Sequence, residues 1–245
     1  MKKIKTALIS VSDKKNLKPL LNSLKQNKIK IISSGGTYKE ITKLKFECLE
    51  VSEFTNSPEI LEGRVKTLHP KIHAGILNER KSKIHLRDIK SNNFENIDLV
   101  IVNFYPFEET LKNTKNHEKI IENIDVGGPT MVRSAAKNYN DVTVLTSSDQ
   151  YEELIQELKL NKGSTSLEFR EKLSRIAFTE TAYYDLPDAS SGAPSRYVVY
   201  DRSSHQSKTW IPSHRCFQDL SGSVLAIRCD ACETRLAYRY AVRLL

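Results

Sequence analysis

Residues 4–11 form an almost unbroken apolar run that stops at Ser12-Asp13. Its length and polar exit predict a buried strand followed by a helix cap. Leu17, Leu20, Leu21 and Leu24 then recur with helical spacing, and Pro19 falls in the first turn, where a missing N–H is tolerated. Residues 29–33 predict a second strand, Ser34-Gly35-Gly36-Thr37 a tight turn, residues 38–44 a helix and residues 47–51 a third short strand. Asp98-Leu99-Val100-Ile101-Val102-Asn103 is the clearest strand in the chain, and Val142-Thr143-Val144-Leu145 is another. Helices are predicted near 81–91, 117–123, 129–138, 149–161 and 166–183. Strands alternating with helices predict an α/β layered fold with a mainly parallel sheet flanked by helices. No apolar run approaches the length of a membrane span.

In such sheets ligands bind beyond the carboxyl ends of the strands, so the polar strand exits are the candidate chemistry. They are Ser12-Asp13-Lys14, Ser34-Gly35-Gly36-Thr37 and Asn103-Phe104-Tyr105-Pro106. In the second, two glycines let backbone approach an anion, the following helix aims N–H groups at the same place, and two hydroxyls flank it. The motif suits a phosphate, although its spacing is neither that of the nucleoside-triphosphate loop nor that of the dinucleotide fingerprint. Arg64 and Lys66 are two residues apart; if the segment is extended, both cations share one face. Asp125-Val126-Gly127-Gly128-Pro129-Thr130 opens a helix, with Pro129 in its first turn and Lys137 near its carboxyl end. His69 and His73 have the spacing of a metal pair, but the HExxH pattern is absent and Pro70 follows His69. A capping or hydrogen-bonding histidine is the reading.

Composition divides the chain near residue 186. Residues 1–185 hold 24 Lys, 6 Arg and 15 Asn; residues 186–245 hold 1 Lys, 7 Arg and no Asn, with three of the four Cys and the only Trp, Trp210. The stretch 186–194 reads as a linker. Residues 1–185 are therefore taken as one domain and 186–245 as a tail of separate, foreign or frameshifted, origin. A zinc site can be drawn in the tail from Cys216, Cys229, Cys232 and His205 or His214, but the spacing fits no known ribbon or finger, and no metal is expected. The net charge of +8 is dispersed among acidic residues, which favours a solvated surface and a basic pocket for a small anion over a nucleic-acid face. With few cysteines and no signal peptide evident, a cytoplasmic setting is expected.

Five ordered segments together resemble one family. Gly63-Arg64-Val65-Lys66-Thr67-Leu68-His69-Pro70-Lys71-Ile72-His73-Ala74-Gly75-Ile76-Leu77 is similar to the signature of the IMP cyclohydrolase domain of the bifunctional AICAR transformylase/IMP cyclohydrolase family. Four other segments fit the same domain in the same order: Ile9-Ser10-Val11-Ser12-Asp13-Lys14, Ser33-Ser34-Gly35-Gly36-Thr37, Val102-Asn103-Phe104-Tyr105-Pro106-Phe107 and the stretch from Ile124 to Asn138. The match spans about residues 4–185 and implies a methylglyoxal-synthase-like fold. It implies dehydrative closure of 5-formamidoimidazole-4-carboxamide ribotide to IMP in purine biosynthesis, with no cofactor, no metal, no membrane or nucleic-acid partner, and a homodimer as the family assembly. No transformylase motif is recognised after residue 185, so formyl transfer is not expected of this polypeptide.

The resemblance also distributes roles. Ser34, Gly35, Gly36 and Thr37 anchor the phosphate, with Ser12 and Lys14 beside them. Lys66 and Tyr105, with N–H groups near Asp125 and Val126, stabilise charge on the formyl oxygen. Lys137 is the proton donor/acceptor, and Asp125 positions base and amide. Arg64, Thr67, Asn103 and Phe104 contact phosphate or base. Lys66 is expected close to Lys137, where a second cation makes a lysine a better base. Two alternatives share the phosphate cradle: a methylglyoxal-synthase-like phosphate lyase and a regulatory nucleotide-binding module. Neither accounts for the segment from Arg64 to Pro70 or for Tyr105. A non-enzymatic anion or RNA binder is the third.

Overall fold

The computed structural model describes residues 1–104 and 116–190 and the backbone of 198–201 and 206–209; side chains are described up to Asp185, that of residue 117 apart. The first elements are β1 (Lys2–Lys3), β2 (Thr6–Val11), α1 (Leu17–Gln26), β3 (Lys30–Ser33), α2 (Gly35–Lys43), β4 (Leu49–Glu50) and α3 (Val51–Thr55). After a turn-rich stretch come α4 (Pro70–Leu77), α5 (Lys83–Ser91), β5 (Leu99–Asn103), α6 (His117–Glu122) and α7 (Gly127–Lys137). The domain is completed by β6 (Thr143–Leu145), α8 (Tyr151–Leu160), β7 (Ser164–Thr165) and α9 (Leu167–Ser190), and a hairpin of β8 (Val198–Asp201) and β9 (Gln206–Thr209) follows.

The apolar runs read as strands pair as one parallel sheet in the order β4-β3-β2-β5-β6. Leu8 lies opposite Ile32 on one side and Val100 on the other, and all three are fully buried. Burial on both faces explains why these strands are continuously apolar rather than alternating. From β2 the chain steps outward to β3 and β4, then returns to β5 on the opposite side of β2 and continues to β6. Such a reversal leaves a crevice between the carboxyl ends of β2 and β5. The short β1 pairs antiparallel with β7 outside this sheet. No helix among the described residues is long and apolar enough to cross a membrane.

Several expected boundaries move. The helix after the second strand begins at Gly35, so the glycine pair forms its first turn rather than a turn before it. The third strand shortens to two residues because Val51 opens α3. α4 was not expected, since only Ile72 and Ile76 mark its buried side among small and polar residues. His69 is its N-cap, its ring accepting from the Lys71 N–H at 3.1 Å, which is the capping reading of that histidine. At the far end, α9 runs to Ser190, so the first five residues of the expected linker are helical despite Pro187.

Asp141, at the β6 entrance, ties the N-terminus to the segment after α4. Its carboxylate meets Lys2 Nζ at 2.5 Å and accepts from the Arg80 N–H at 3.0 Å. Burial pushes the carboxyl upward, but the Lys2 and Arg80 contacts win and hold it below the ordinary aspartate range. A depressed native pKa gives stability that is present above the unfolded value and lost as pH falls through the native one. Asp141→Asn is therefore expected to cost about 1–3 kcal/mol at pH 7 and to flatten the acid limb of the stability curve below about pH 4, as read by denaturant unfolding at several pH values.

Candidate active site

The start of α2 is an uncapped glycine pair. Ser34 enters in an extended conformation and makes no side-chain cap, so the first N–H groups of the helix keep no capping partner from its hydroxyl. Gly35 has φ +54°, and a Cβ there would meet Lys66 Nζ at 3.3 Å. A Cβ on Gly36 would lie 3.9 Å from Lys14 Nζ. Two ammonium groups from different loops thus stand on either flank of one glycine pair, over the positive end of a helix dipole. Beside it opens a cavity of about 160 Å³, with Ser34, Lys66 and His69 in its wall.

Lys66 is placed there by strained backbone. Leu61, Glu62 and Gly63 are consecutively left-handed, with φ of 50°, 53° and 86°. The segment is a series of turns, not the extended strand that would align Arg64 with Lys66. The two cations diverge accordingly: Lys66 Nζ meets Glu59 Oε1 at 3.1 Å, while the exposed Arg64 guanidinium pairs with Glu122. Glu59 is a site residue the sequence reading did not name. It lies seven positions before Lys66, and only the turn brings it back.

Other expected ligand contacts are committed to the protein itself. Thr37 Oγ1 donates to Val11 O at 2.9 Å and accepts from the Val11 N–H at 3.0 Å, so it anchors α2 to the end of β2 rather than offering a hydroxyl. Asn103 Oδ1 accepts from the Ser12 N–H at 2.6 Å and the Asp13 N–H at 3.1 Å, and its Nδ2 donates to Asp13 O at 3.0 Å. That amide clasps the β2 exit to the β5 exit. Ser12 Oγ lies 2.8 Å from Phe104 O and 3.1 Å from Asn103 Oδ1, acceptors that compete for its single proton. The Phe104 ring packs on Tyr184, centroids 4.8 Å apart. Tyr105 lies outside the described residues.

Asp125 caps α7. Its Oδ1 accepts from the Gly128 N–H at 2.8 Å, and its own N–H donates to Tyr184 Oη at 3.0 Å. Burial raises its carboxyl above the ordinary range, against the pull of the Gly128 and Gly127 N–H groups. Of the N–H groups near Asp125 and Val126, expected to face a formyl oxygen, that of Asp125 is therefore already bonded. Val126 beside them is exposed. Thr67 is buried with its Oγ1 in the space a Cβ on Gly127 would need, which sets it at the start of α7. His73 Nδ1 reaches Ser134 Oγ on α7 at 3.2 Å, which is the hydrogen-bonding reading of that histidine.

Lys137 does not join this group. It is the exposed last residue of α7, ten positions after the one that touches Thr67. At 1.5 Å rise per residue that is about 15 Å along the axis. Thr67, the neighbour of Lys66 in sequence, and Lys137 therefore sit at opposite ends of one helix.

A second hollow of about 300 Å³ lies at the crevice between β2 and β5, walled by Ser12, Asp13, Lys15, Asn103, Phe104, Thr146, Ser147 and Ser148. The last three residues follow β6. The strand-exit rule points to them as it does to the other exits, but the polar run there carries no glycine or lysine to mark it in the sequence.

Comparison with known proteins bears on this geometry. An MGS-like domain family matches residues 16–130, and the AICARFT/IMPCHase bienzyme family matches residues 135–191. A bifunctional purine biosynthesis protein PurH of Prochlorococcus marinus (strain AS9601) is 53% identical over 180 residues, which is 73% of this chain and 34% of that protein. The protein of the same name from Ligilactobacillus salivarius (strain UCC118) is 50% identical over 183 residues, 74% of this chain and 36% of that protein. The chain thus spans about a third of the length of these curated relatives. A solved structure titled "Crystal structure of ForH" is 30% identical, covers 78% of this chain and 100% of its own, and superposes with a TM-score of 0.69.

The two glycines of the cradle make a differential prediction. Gly35→Ala forces a left-handed alanine against Lys66 Nζ, at about 1–2 kcal/mol for the backbone alone, and is expected to lower the thermal midpoint by about 2–8 °C. Gly36→Ala meets only ordinary contact distance and a helical position, and should leave the midpoint unchanged or raise it.

Proposed function

This chain belongs to the family of the bifunctional purine biosynthesis proteins, in the part of them that holds the MGS-like domain, and from that premise we propose that it is an IMP cyclohydrolase. The reaction joins the carboxamide nitrogen of 5-formamidoimidazole-4-carboxamide ribotide to its formyl carbon and expels water to give IMP. Both reacting groups belong to one molecule, so most of the task is to hold them in an attacking arrangement.

The observation that carries this reading is the convergence of Lys14 and Lys66 on the uncapped glycine pair. A 5′-phosphate is the part of the ribotide that such a cradle suits, because backbone N–H groups, a helix dipole and two cations meet there. Lys66 also borders the adjoining cavity, where an ammonium would stabilise charge growing on the formyl oxygen. Its present partner Glu59 must yield to the incoming anion. Asp125, held by α7 amides, is suited to orient the carboxamide. Thr37 and Asn103 support the reading indirectly, by fixing the loops that carry Gly36 and Lys14. Tyr105 and Lys137 keep their roles on the resemblance alone. A cytoplasmic setting and a homodimer belong to the same proposal.

The test is IMP formation from the formylated ribotide, followed by absorbance in the absence of folate. The wild-type chain should turn over, and Lys66→Ala should lower turnover by about 10²-fold or more; near-normal turnover would remove Lys66 from the mechanism. Lys137→Ala is the companion variant. A comparable loss would keep Lys137 in the reaction, and near-normal turnover would remove it.

A further inference from the structure

α9 packs along α7 and holds it near both ends. Toward the carboxyl end of α7, Ser174 Oγ donates to Ala136 O at 2.8 Å. Ten residues further along α9, about 15 Å at the helical rise, Tyr184 Oη accepts from the Asp125 N–H at 3.0 Å, two residues before α7 begins. The Tyr184 ring belongs to a small apolar cluster with Ile120 of α6, Ile124 and Phe104. Ile124 directly precedes Asp125, and Phe104, whose ring lies 4.8 Å from that of Tyr184, directly precedes Tyr105. One buried side chain thus stands behind the two segments that carry Asp125 and Tyr105.

The bond to Tyr184 is not needed to cap α7. Asp125 Oδ1 already accepts from the Gly128 N–H at 2.8 Å, and the Asp125 N–H lies ahead of the helix. What the bond adds is a second fixed point on Asp125 itself. The carboxylate is fastened to the helix start and the main chain to Tyr184, so the torsions between them have little freedom. The fit is close: a Cβ on Gly128 would fall 2.2 Å from Asp125 Oδ2. Without the phenol oxygen, Asp125 would be held by the α7 amides alone. A ring closure within one molecule is sensitive to such freedom, because its rate follows the fraction of time that the reacting groups spend aligned.

We propose that Tyr184 is a positioning residue for the ring closure: through the Asp125 N–H its phenol oxygen fixes the carboxylate that orients the carboxamide, and through Phe104 its ring steadies the chain entering Tyr105. The assignment rests on the cyclohydrolase reading above. It gives α9 a part in the chemistry without any contact of its own with the nucleotide.

Steady-state kinetics of IMP formation by the full chain, in a double-mutant cycle with Asp125, test this. Tyr184→Phe keeps the ring and removes the oxygen. In the wild-type background it should lower kcat about 10-fold and leave KM within about 2-fold. In the Asp125→Asn background the carboxylate is already gone, while asparagine still caps the helix; there Tyr184→Phe should change kcat by less than about 2-fold. Tyr184→Met, which fills the space with an unbranched chain and no oxygen, is the second variant and should show the same dependence on Asp125. Equal losses of kcat in both backgrounds would mean that Tyr184 acts otherwise than through Asp125, and would overturn the assignment. An unchanged kcat in the wild-type background, with or without a lower melting point, would give the phenol to the fold alone; it would overturn the assignment and leave the cyclohydrolase reading in place. No turnover by the wild-type chain would overturn both.

Discussion

The site depends on bringing two cationic side chains against a helix start that has no side chains of its own. Lys14 reaches it from the β2 exit and Lys66 from a turn before α4. A Cβ on Gly35 would crowd Lys66 Nζ at 3.3 Å, and at Gly63 that atom would fall 2.9 Å from Lys66 Nζ and 2.2 Å from Glu59 Oε1, while Gly36 leaves Lys14 ordinary contact distance. Like charges this near a common point repel unless something negative lies between or beside them. In the free chain Glu59 supplies part of that charge to Lys66. In the proposed complex a phosphate supplies it to both.

The parallel sheet makes this meeting possible. Because the chain departs from β2 in one direction and returns to β5 on the other side, the carboxyl ends of the central strands are not covered by their own crossovers. The hydrogen bonds of Thr37 to Val11 and of Asn103 to Ser12 and Asp13 then fix the exits to one another. Residues that at first suggest ligand contacts thus do their work one layer behind the ligand. They hold the loops that present lysines and glycine amides.

Much of this was legible in the residues. The strands announce themselves by apolar runs, because a parallel sheet buried on both faces asks for nothing else, and the glycine pair after β3 marks the proposed anion site. What was not legible depends on backbone conformation. Nothing in the composition of Leu61-Glu62-Gly63 says that three consecutive residues turn left-handed, so the divergence of Arg64 from Lys66 and the arrival of Glu59 could not be read. Asn103 and Thr37 look alike as donors in a sequence whether they face a ligand or a neighbouring strand. Lys137 shows the opposite limit. Its sequence context fits the family motif closely, yet it lies about 15 Å along α7 from Gly127, the residue that Thr67 touches.

The central claim is that the amides of Gly35 and Gly36 hold the phosphate of the nucleotide. A ¹H–¹⁵N NMR titration of the chain with IMP observes those two groups directly. The account predicts that both amide protons move downfield, as N–H groups do on hydrogen bonding to a phosphate oxygen, and saturate together. Saturable shifts elsewhere in the spectrum with Gly35 and Gly36 unmoved would contradict it.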